Sequence, residues 1–595
     1  MRSLRLSLLT LLTLVACEGD PLAPTCPAVT DTTPVAPEAP FFTEATAEAG
    51  LDDGYLVAGR SVVVDFDGDG WDDLVTLPVD DATSMSPTFA RNLGPGDGGR
   101  PRFEDWTAES GMAAASMALL VFADVDDDGD QDAFAGFSAR AARVGGARAE
   151  IWLNDGTGRF LRRDDAGIDR VTVDVGGTLY QEEHAAATFA DFDGDGHLDL
   201  YIGAWRVGRV NAEDGIDNLL LATPDELYLG DGEGGFARVE LPDQRNPLTA
   251  TVAPDFAALP RPAYGVAPAD FDGDGDMDLF VNNYGAGRPA LGSAPLYLEH
   301  NLLWRNDSTP GNIAFVDVGV SAGVHATRRG IGGVENEESF VFDGVTYTGP
   351  VGGNGFGCEW GDIDGDGDLD LVVGSIAHPD YPQSDRTMLH INQGDGTFTE
   401  ESAIRDLEYY EDELHPVLVD IDQDGRLDLA MSRLRGGTKW RMYFQRPDGS
   451  FSLQTVPGSG VDIERPGNTV WADFDHDGDL DFFMARVAGG RLFLNQVGQE
   501  NHSVALRLEA TAPRDATGAM VFADGPDGRT ITRQLISGGG HYNSQHSREL
   551  NLGFGREATL RNVRVRWPDG EEQAIGDRCP GERLRVVQGE APTRL

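Results

Sequence analysis

Lysine is almost missing from this chain. Among 46 basic residues only Lys439 is not an arginine, and they face 100 aspartates and glutamates, for a net charge of -54. That deficit of positive charge excludes a general binder of nucleic acid or of anionic membranes, whose phosphates the long-range field repels. The arginine bias reads as codon usage in a GC-rich genome, and the acidity also fits a saline habitat. Divalent cations are the natural counter-charges. Cysteine is scarce: Cys17, Cys26, Cys358 and Cys579 allow one disulfide beyond Cys17, and spacing leaves its pairing open. The eleven histidines show no H-E-x-x-H or other metal-ligand spacing. Beyond the N-terminus no segment is apolar enough to cross a membrane as a helix.

At the N-terminus, Arg2 and Arg5 precede an apolar run from Leu6 to Ala16, the pattern of a secretory signal. "LVAC" at 14–17 resembles the lipobox of bacterial lipoproteins, which implies Cys17 as the lipid anchor and 1–17 as the signal peptide. An extracytoplasmic protein at the outer membrane or cell surface, touching the membrane only through its lipid, is the expectation. Residues 18–40, rich in Pro, Thr and Ala, read as an extended tether.

At 595 residues the chain exceeds one ordinary core, so several domains or a repeat architecture is expected. A repeat is present. "DFDGDGWDDL" at 65 recurs as "DVDDDGDQDA" at 124, "DFDGDGHLDL" at 191, "DFDGDGDMDL" at 270, "DIDGDGDLDL" at 362, "DIDQDGRLDL" at 420 and "DFDHDGDLDF" at 473. Short Val-, Leu- and Phe-rich runs flank each copy, and runs of that length are strands. Downstream, "NDGTGRF" at 154, "LGDGEGGF" at 229, "NQGDGTF" at 392 and "RPDGSF" at 446 carry hairpin-turn chemistry. Two hairpins per repeat make four strands, and seven such units predict an all-β, seven-bladed β-propeller over 41–498, whose closure hides sheet edges.

The loop chemistry points to a cation. Carboxylates stand at loop positions 1, 3, 5 and 9 with glycine at 6, and Ca²⁺ takes about six to eight oxygens. The expected ligands are Asp65, Asp67, Asp69 and Asp73; Asp124, Asp126, Asp128 and Asp132; Asp191, Asp193, Asp195 and Asp199; Asp270, Asp272, Asp274 and Asp278; Asp362, Asp364, Asp366 and Asp370; Asp420, Asp422, Asp424 and Asp428; Asp473, Asp475, Asp477 and Asp481. The position-7 carbonyl adds another oxygen, from Trp71, Asp130, His197, Asp276, Asp368, Arg426 and Asp479 respectively. An EF-hand needs Glu at position 12, where Thr76, Ala135, Ile202, Val281, Val373, Met431 and Met484 stand instead. Up to seven structural Ca²⁺ ions are expected; Mg²⁺ is disfavoured because it seldom takes an all-protein cage. Asp72, at a variable position, reads as solvated surface, and the His197 and His476 rings as solvent-facing.

These loops resemble the FG-GAP/VCBS repeats of integrin α-chain propellers and many bacterial surface proteins, over about 42–497. From about Asn501 the acidic loops stop. "RDATGA" at 514–519, "GGGHYNSQ" at 538–545, "LGFG" at 552–555 and "RWPDG" at 566–570 make 499–595 similar to the ASPIC/UnbV domain, the arrangement of the cartilage acidic protein family. The resemblance implies a propeller followed by a small β-rich domain.

No catalytic residue is nominated. "GVSAG" at 319–323 matches a nucleophile elbow but occupies the repeat's own ending, like "AEAGL" and "AESGM", whereas a true elbow follows a strand in an α/β fold and opens a helix. "HYNSQH" at 541–546 reads as a turn. An adhesion or recognition module for a glycan or protein partner at a propeller face is expected, rather than an enzyme; an enzyme acting on an exported substrate would need a unique polar cluster in the central channel.

Overall fold

The computed structural model describes Cys26 and residues 40–595, apart from 52–58, 79–85, 97, 118, 137–148, 169–171, 176–177, 212–214, 220–222, 246–259, 285–298, 326–338, 343–344, 349–352, 354, 376–384, 408–412, 434–439, 455, 464–465, 487, 499–500 and 539–543. The Cys17 anchor and nearly all of the tether lie outside the described residues.

Each acidic loop joins the first two strands of a four-stranded antiparallel meander. In the first unit Arg60–Val64, Asp73–Leu77, Thr88–Pro95 and Pro101–Asp105 pair in that order. The predicted second turns close the outer hairpins, as Glu150–Asn154 with Phe160–Arg163 and Met388–Asn392 with Phe398–Glu400. The inner strands are buried along their whole length on both faces, which is why they read as unbroken apolar runs. Each outer strand is pinned by one buried phenylalanine: Phe103, Phe160, Phe236, Phe315, Phe398, Phe451 and, for the last unit, Phe42.

Phe42 belongs to the first strand in the chain, Phe42–Glu44, which pairs antiparallel with Arg491–Asn495 and so completes the sheet containing the seventh loop. The hydrophobic clusters run between neighbouring sheets: Val63, Leu74 and Phe103 of the first unit pack on Phe474, Phe483 and Leu492 of the last. Units therefore stack face to face around an axis, first against last, as a β-propeller.

A hydrogen-bond clamp that the sequence reading did not foresee repeats at every junction. The position-9 aspartate (Asp73, Asp132, Asp199, Asp278, Asp370, Asp428, Asp481) accepts the amide ending its unit's third strand at 2.6–2.9 Å, from Asn92, Asn154, Gly230, Asn306, Asn392, Gln445 and Asn495. The side-chain amide of that Asn or Gln then donates to the loop carbonyl of the preceding unit: Asn154 to Phe66, Asn306 to Phe192, Asn392 to Phe271, Gln445 to Ile363 and Asn495 to Ile421. Asn92 reaches Phe474, joining first unit to last. In the third unit, where Gly230 has no side chain, the Gly234 amide bonds Val125 O instead. The recurring Asn before each second turn was the available signal.

The C-terminal domain is two four-stranded sheets over one core. Leu550–Gly553, Ser503–Glu509, Glu582–Val587 and Thr593–Arg594 form one, with a parallel central pair. Thr530–Gln534, Met520–Asp524, Leu560–Arg566 and Glu572–Arg578 form the other. Val504, Leu506, Val521, Val563, Val565, Trp567 and Val586 fill the space between. Cys579 is disulfide-bonded to Cys26, with Cα atoms 5.2 Å apart, which ties the tether to this domain; Cys358 is buried and reduced.

Two outcomes are expected. Asn154→Ala removes both side-chain bonds of one clamp and leaves the Phe66 carbonyl buried without its donor, a loss of about 1–3 kcal/mol read by urea unfolding; an unchanged midpoint would deny the clamp a role. Peptide mapping under non-reducing conditions should yield a Cys26–Cys579 cross-linked peptide that disappears on reduction.

Candidate metal centres on the acidic-loop face

Within each loop the carboxylates divide into two kinds. Positions 1, 3 and 9 converge: Asp65, Asp67 and Asp73 place oxygens within 4.8 Å of one another, as do Asp124, Asp126 and Asp132; Asp191, Asp193 and Asp199; Asp270, Asp272 and Asp278; and Asp362, Asp364 and Asp370. Position 5 stands apart from these five groups. In every loop its Oδ1 accepts the position-7 amide, so Asp69, Asp128, Asp195, Asp274, Asp366, Asp424 and Asp477 shape the turn. Glycine at 6 has positive φ, 96° at Gly70 and 104° at Gly367, and its amide donates to the position-1 carboxylate.

These groups fit a bound cation. Asp65, Asp270 and Asp420 each bury an Oδ1 without a hydrogen-bond partner, as do Asp126, Asp364 and Asp422 at position 3. A buried oxygen with no donor costs free energy unless a cation takes it. Burial raises the carboxyls: Asp124 to about 7, Asp191 and Asp362 to about 6, Asp132 to about 8 and Asp278 to about 9, with neighbouring aspartates adding to the effect. Carboxyls raised in this way would release protons on binding a cation.

Arginines neutralise some loops. In the first, Arg91 pairs with Asp67 and Asp69, and Arg507 with Asp65 at 2.7 Å. Asp72 is not solvated: it is buried, accepts Ser547 Oγ at 2.6 Å, and desolvation raises it to about 6. The reason is distant in sequence, since the C-terminal domain covers this face. Arg566 bonds Asp270 at 2.6 Å, Thr532 bonds Asp362 at 2.7 Å, Arg533 lies 3.5 Å from Asp420, and Asp515 accepts the Asp124 amide.

The histidine expectation holds for one of two. His197 stays part-exposed, its Nδ1 3.0 Å from Asp127 of the preceding loop. His476 is sandwiched instead, stacked on the Trp71 ring at 3.6 Å with Arg583 Nη1 2.8 Å from its Nδ1, and burial followed by the Arg583 charge lowers it to about 3.

The "HYNSQH" region also departs from a simple turn. Around the axis each innermost strand presents unpaired backbone groups. Ser537–Gly538 pairs with the inner strand Thr178–Ala190, and the Gln545 side chain bonds both N–H and C=O of Phe122. Gln545 O accepts the Val63 amide, His546 Nδ1 the Trp471 amide, and Ser547 N–H donates to Trp471 O. The C-terminal domain thus inserts a plug that caps four units. Beside it lies a cavity of about 170 Å³ containing Glu359, which accepts the Leu418 amide, is raised by burial to about 8, and sits 3.9 Å from His546. Ser321 of "GVSAG" stands exposed in the four-residue helix Gly319–Ala322, just after the strand Phe315–Asp317 of an all-β sheet, and its Oγ donates to Val318 O.

The buried carboxyls dictate a pH dependence. Their folded pKa values lie above the unfolded value near 3.8, so the folded chain binds more protons; that stabilisation is complete below about pH 4 and is lost as pH climbs through about 6–9. In chelator the melting temperature is therefore expected to fall between pH 5 and pH 8, and a flat or rising profile would contradict the burial.

Comparison with protein families matches residues 420–484 to an FG-GAP-like repeat and residues 509–593 to ASPIC and UnbV. No curated protein matches. Among solved structures, BBS1N in complex with ARL6DN is 9% identical, with 76% of this chain and 96% of that one covered and a TM-score of 0.37. The rhamnogalacturonan lyase YesW is 13% identical, covering 74% and 90%, with a TM-score of 0.28. The V. cholerae biofilm matrix protein Bap1 is 11% identical, covering 88% and 68%, with a TM-score of 0.27. By its sequence and its architecture, the chain is a β-propeller with an FG-GAP-like repeat, ending in an ASPIC and UnbV domain.

Proposed function

We propose that this protein is an exported, lipid-anchored, seven-bladed propeller, stabilised by Ca²⁺ at its acidic loops, that recognises a glycan or protein partner on the face opposite those loops. The observation that carries the reading is the near-identical convergence of three aspartates per loop around buried, unpartnered oxygens. Repetition favours a structural ion over catalysis, because a reaction centre is one place and these are many. Oxygen-only ligands suit a hard cation, and the weak affinity of extracellular sites, about 10⁻⁴–10⁻³ M, suffices outside a cell.

Topology supports the choice of face. The C-terminal domain occupies the acidic-loop side, so a partner has the other side, where second strands pass to third and unit passes to unit. The long inserted segments, among them 206–225, 284–300 and 326–354, leave from strand ends on that side. An aromatic group stands there too: Tyr264 and Phe356, both buried, are 4.1 Å apart, and part-exposed Trp205 and Tyr284 lie 4.9 Å and 5.5 Å from Tyr264. Aromatic faces serve both sugar rings and protein hot spots.

The enzyme alternative has one specific support, the axial Glu359 and His546 beside a cavity, which is singular where the loops are repeated.

Chelation should lower the melting temperature by more than 10 °C and added Ca²⁺ restore it, with several ions per chain by elemental analysis; no change in either would sink the calcium reading. A glycan and protein binding screen, repeated with Trp205→Ala, tests the face: a hit that the variant loses supports it, and a hit indifferent to the variant places recognition elsewhere.

A further inference from the structure

The seven loops are not equivalent, and the seventh differs in a way the repeat pattern conceals. At position 7 the other loops carry a side chain that is at least part-exposed or, as with Arg426, a cation; Trp71 stacks on His476. Asp276 is exposed, and Asp130 and Asp368 are part-exposed. Asp479 is only 1% exposed, and both of its carboxylate oxygens are buried without a hydrogen-bond donor. Its carboxyl lies within hydrogen-bonding reach of the Asp477 carboxyl. Gly498 closes over it, so near that a Cβ there would stand 2.6 Å from Asp479 Cβ.

Around it, Asp475 Oδ1 and Asp481 Oδ2 are also buried without partners. Among the described residues no arginine pairs with Asp473, Asp475, Asp479 or Asp481, in contrast to the first loop, where Arg91 and Arg507 share the load. Two carboxyls turned toward each other in a buried pocket repel strongly unless a proton or a cation lies between them. In the first and sixth loops such crowding is relieved by guanidinium groups.

We propose that Asp479 binds metal through its side chain, making the seventh loop a four-carboxylate centre of Asp473, Asp475, Asp479 and Asp481 that holds its cation most tightly and favours high charge density, Ca²⁺ or a trivalent lanthanide. This rests on the calcium reading of the loops. The centre sits where three parts of the molecule meet. The Gly478 carbonyl beside it accepts Gln423 Nε2 from the sixth loop, and Ser503 Oγ at 2.7 Å and Asn551 Nδ2 at 3.2 Å from the C-terminal domain. The same unit is closed by the N-terminal strand Phe42–Glu44. One ion there braces the ring closure and the docked domain together.

The test uses the full chain and terbium, whose emission is sensitised by nearby indole, here Trp71 stacked on His476 of this loop. Asp479→Asn should weaken the tightest Tb³⁺ site at least tenfold and cut bound Ca²⁺ by one ion at low free concentration, while Asp368→Asn leaves that site intact. Stability supplies a second readout. In chelator, Asp479→Asn should melt above wild type, because a buried repelling charge is gone; in Ca²⁺ it should melt below. A variant that binds the tightest ion as wild type does, or that is destabilised in both conditions, would overturn the proposal while leaving calcium at the other loops. Absence of any Ca²⁺ or Tb³⁺ binding by wild type overturns the calcium reading itself.

Discussion

Everything in the propeller hangs on one short hydrogen bond, from the amide that ends each third strand to the aspartate at loop position 9. That carboxylate is almost fully buried, joins the inner hairpin to the outer one, and is also a corner of the carboxylate cluster. The Asn carrying the amide uses its side chain to grip the next loop round the ring. Folding a unit, closing a junction and shaping a cation pocket are thereby one geometric event. A charge this buried would be costly alone; the amides that bond it offset part of that cost.

The second constraint is the ring's own inner edge. Strands around an axis expose backbone donors and acceptors that no neighbouring strand can reach, and water or a plug must satisfy them. Here the C-terminal domain does so with Ser537, Gln545, His546 and Ser547, and its arginines meet the carboxylates below. Part of the acidic face is therefore buried between two domains. That arrangement explains why so acidic a loop set need not act as an anion-rich surface.

Much of this was legible. The D-x-D-x-D-G-x-x-D loops, the flanking apolar runs and the Asn/Gly turns are local signals, and each produced the hairpin its chemistry predicts. The carboxylates at positions 1, 3 and 9 were readable as a group; that position 5 serves the turn was not, because alternating Asp side chains and an Asx turn look alike in sequence. Asp72 was misread as solvated for a related reason: nothing within ten residues announces Ser547 and Arg507. His476 likewise gains its burial from Trp71 and Arg583, each from another part of the chain.

By itself the sequence determined the strand pattern, the number and chemistry of the acidic loops, and the change of character near residue 500, since period-two burial and turn conformation depend on neighbours a few bonds away. Only the tertiary structure decided the partner of Cys26, the seating of the first strand in the last sheet, the plug in the channel and the inward turn of Asp479. Those outcomes depend on which surfaces meet. Packing under Gly498 buries Asp479, while its equivalent Asp276 in another copy of the same loop stays exposed.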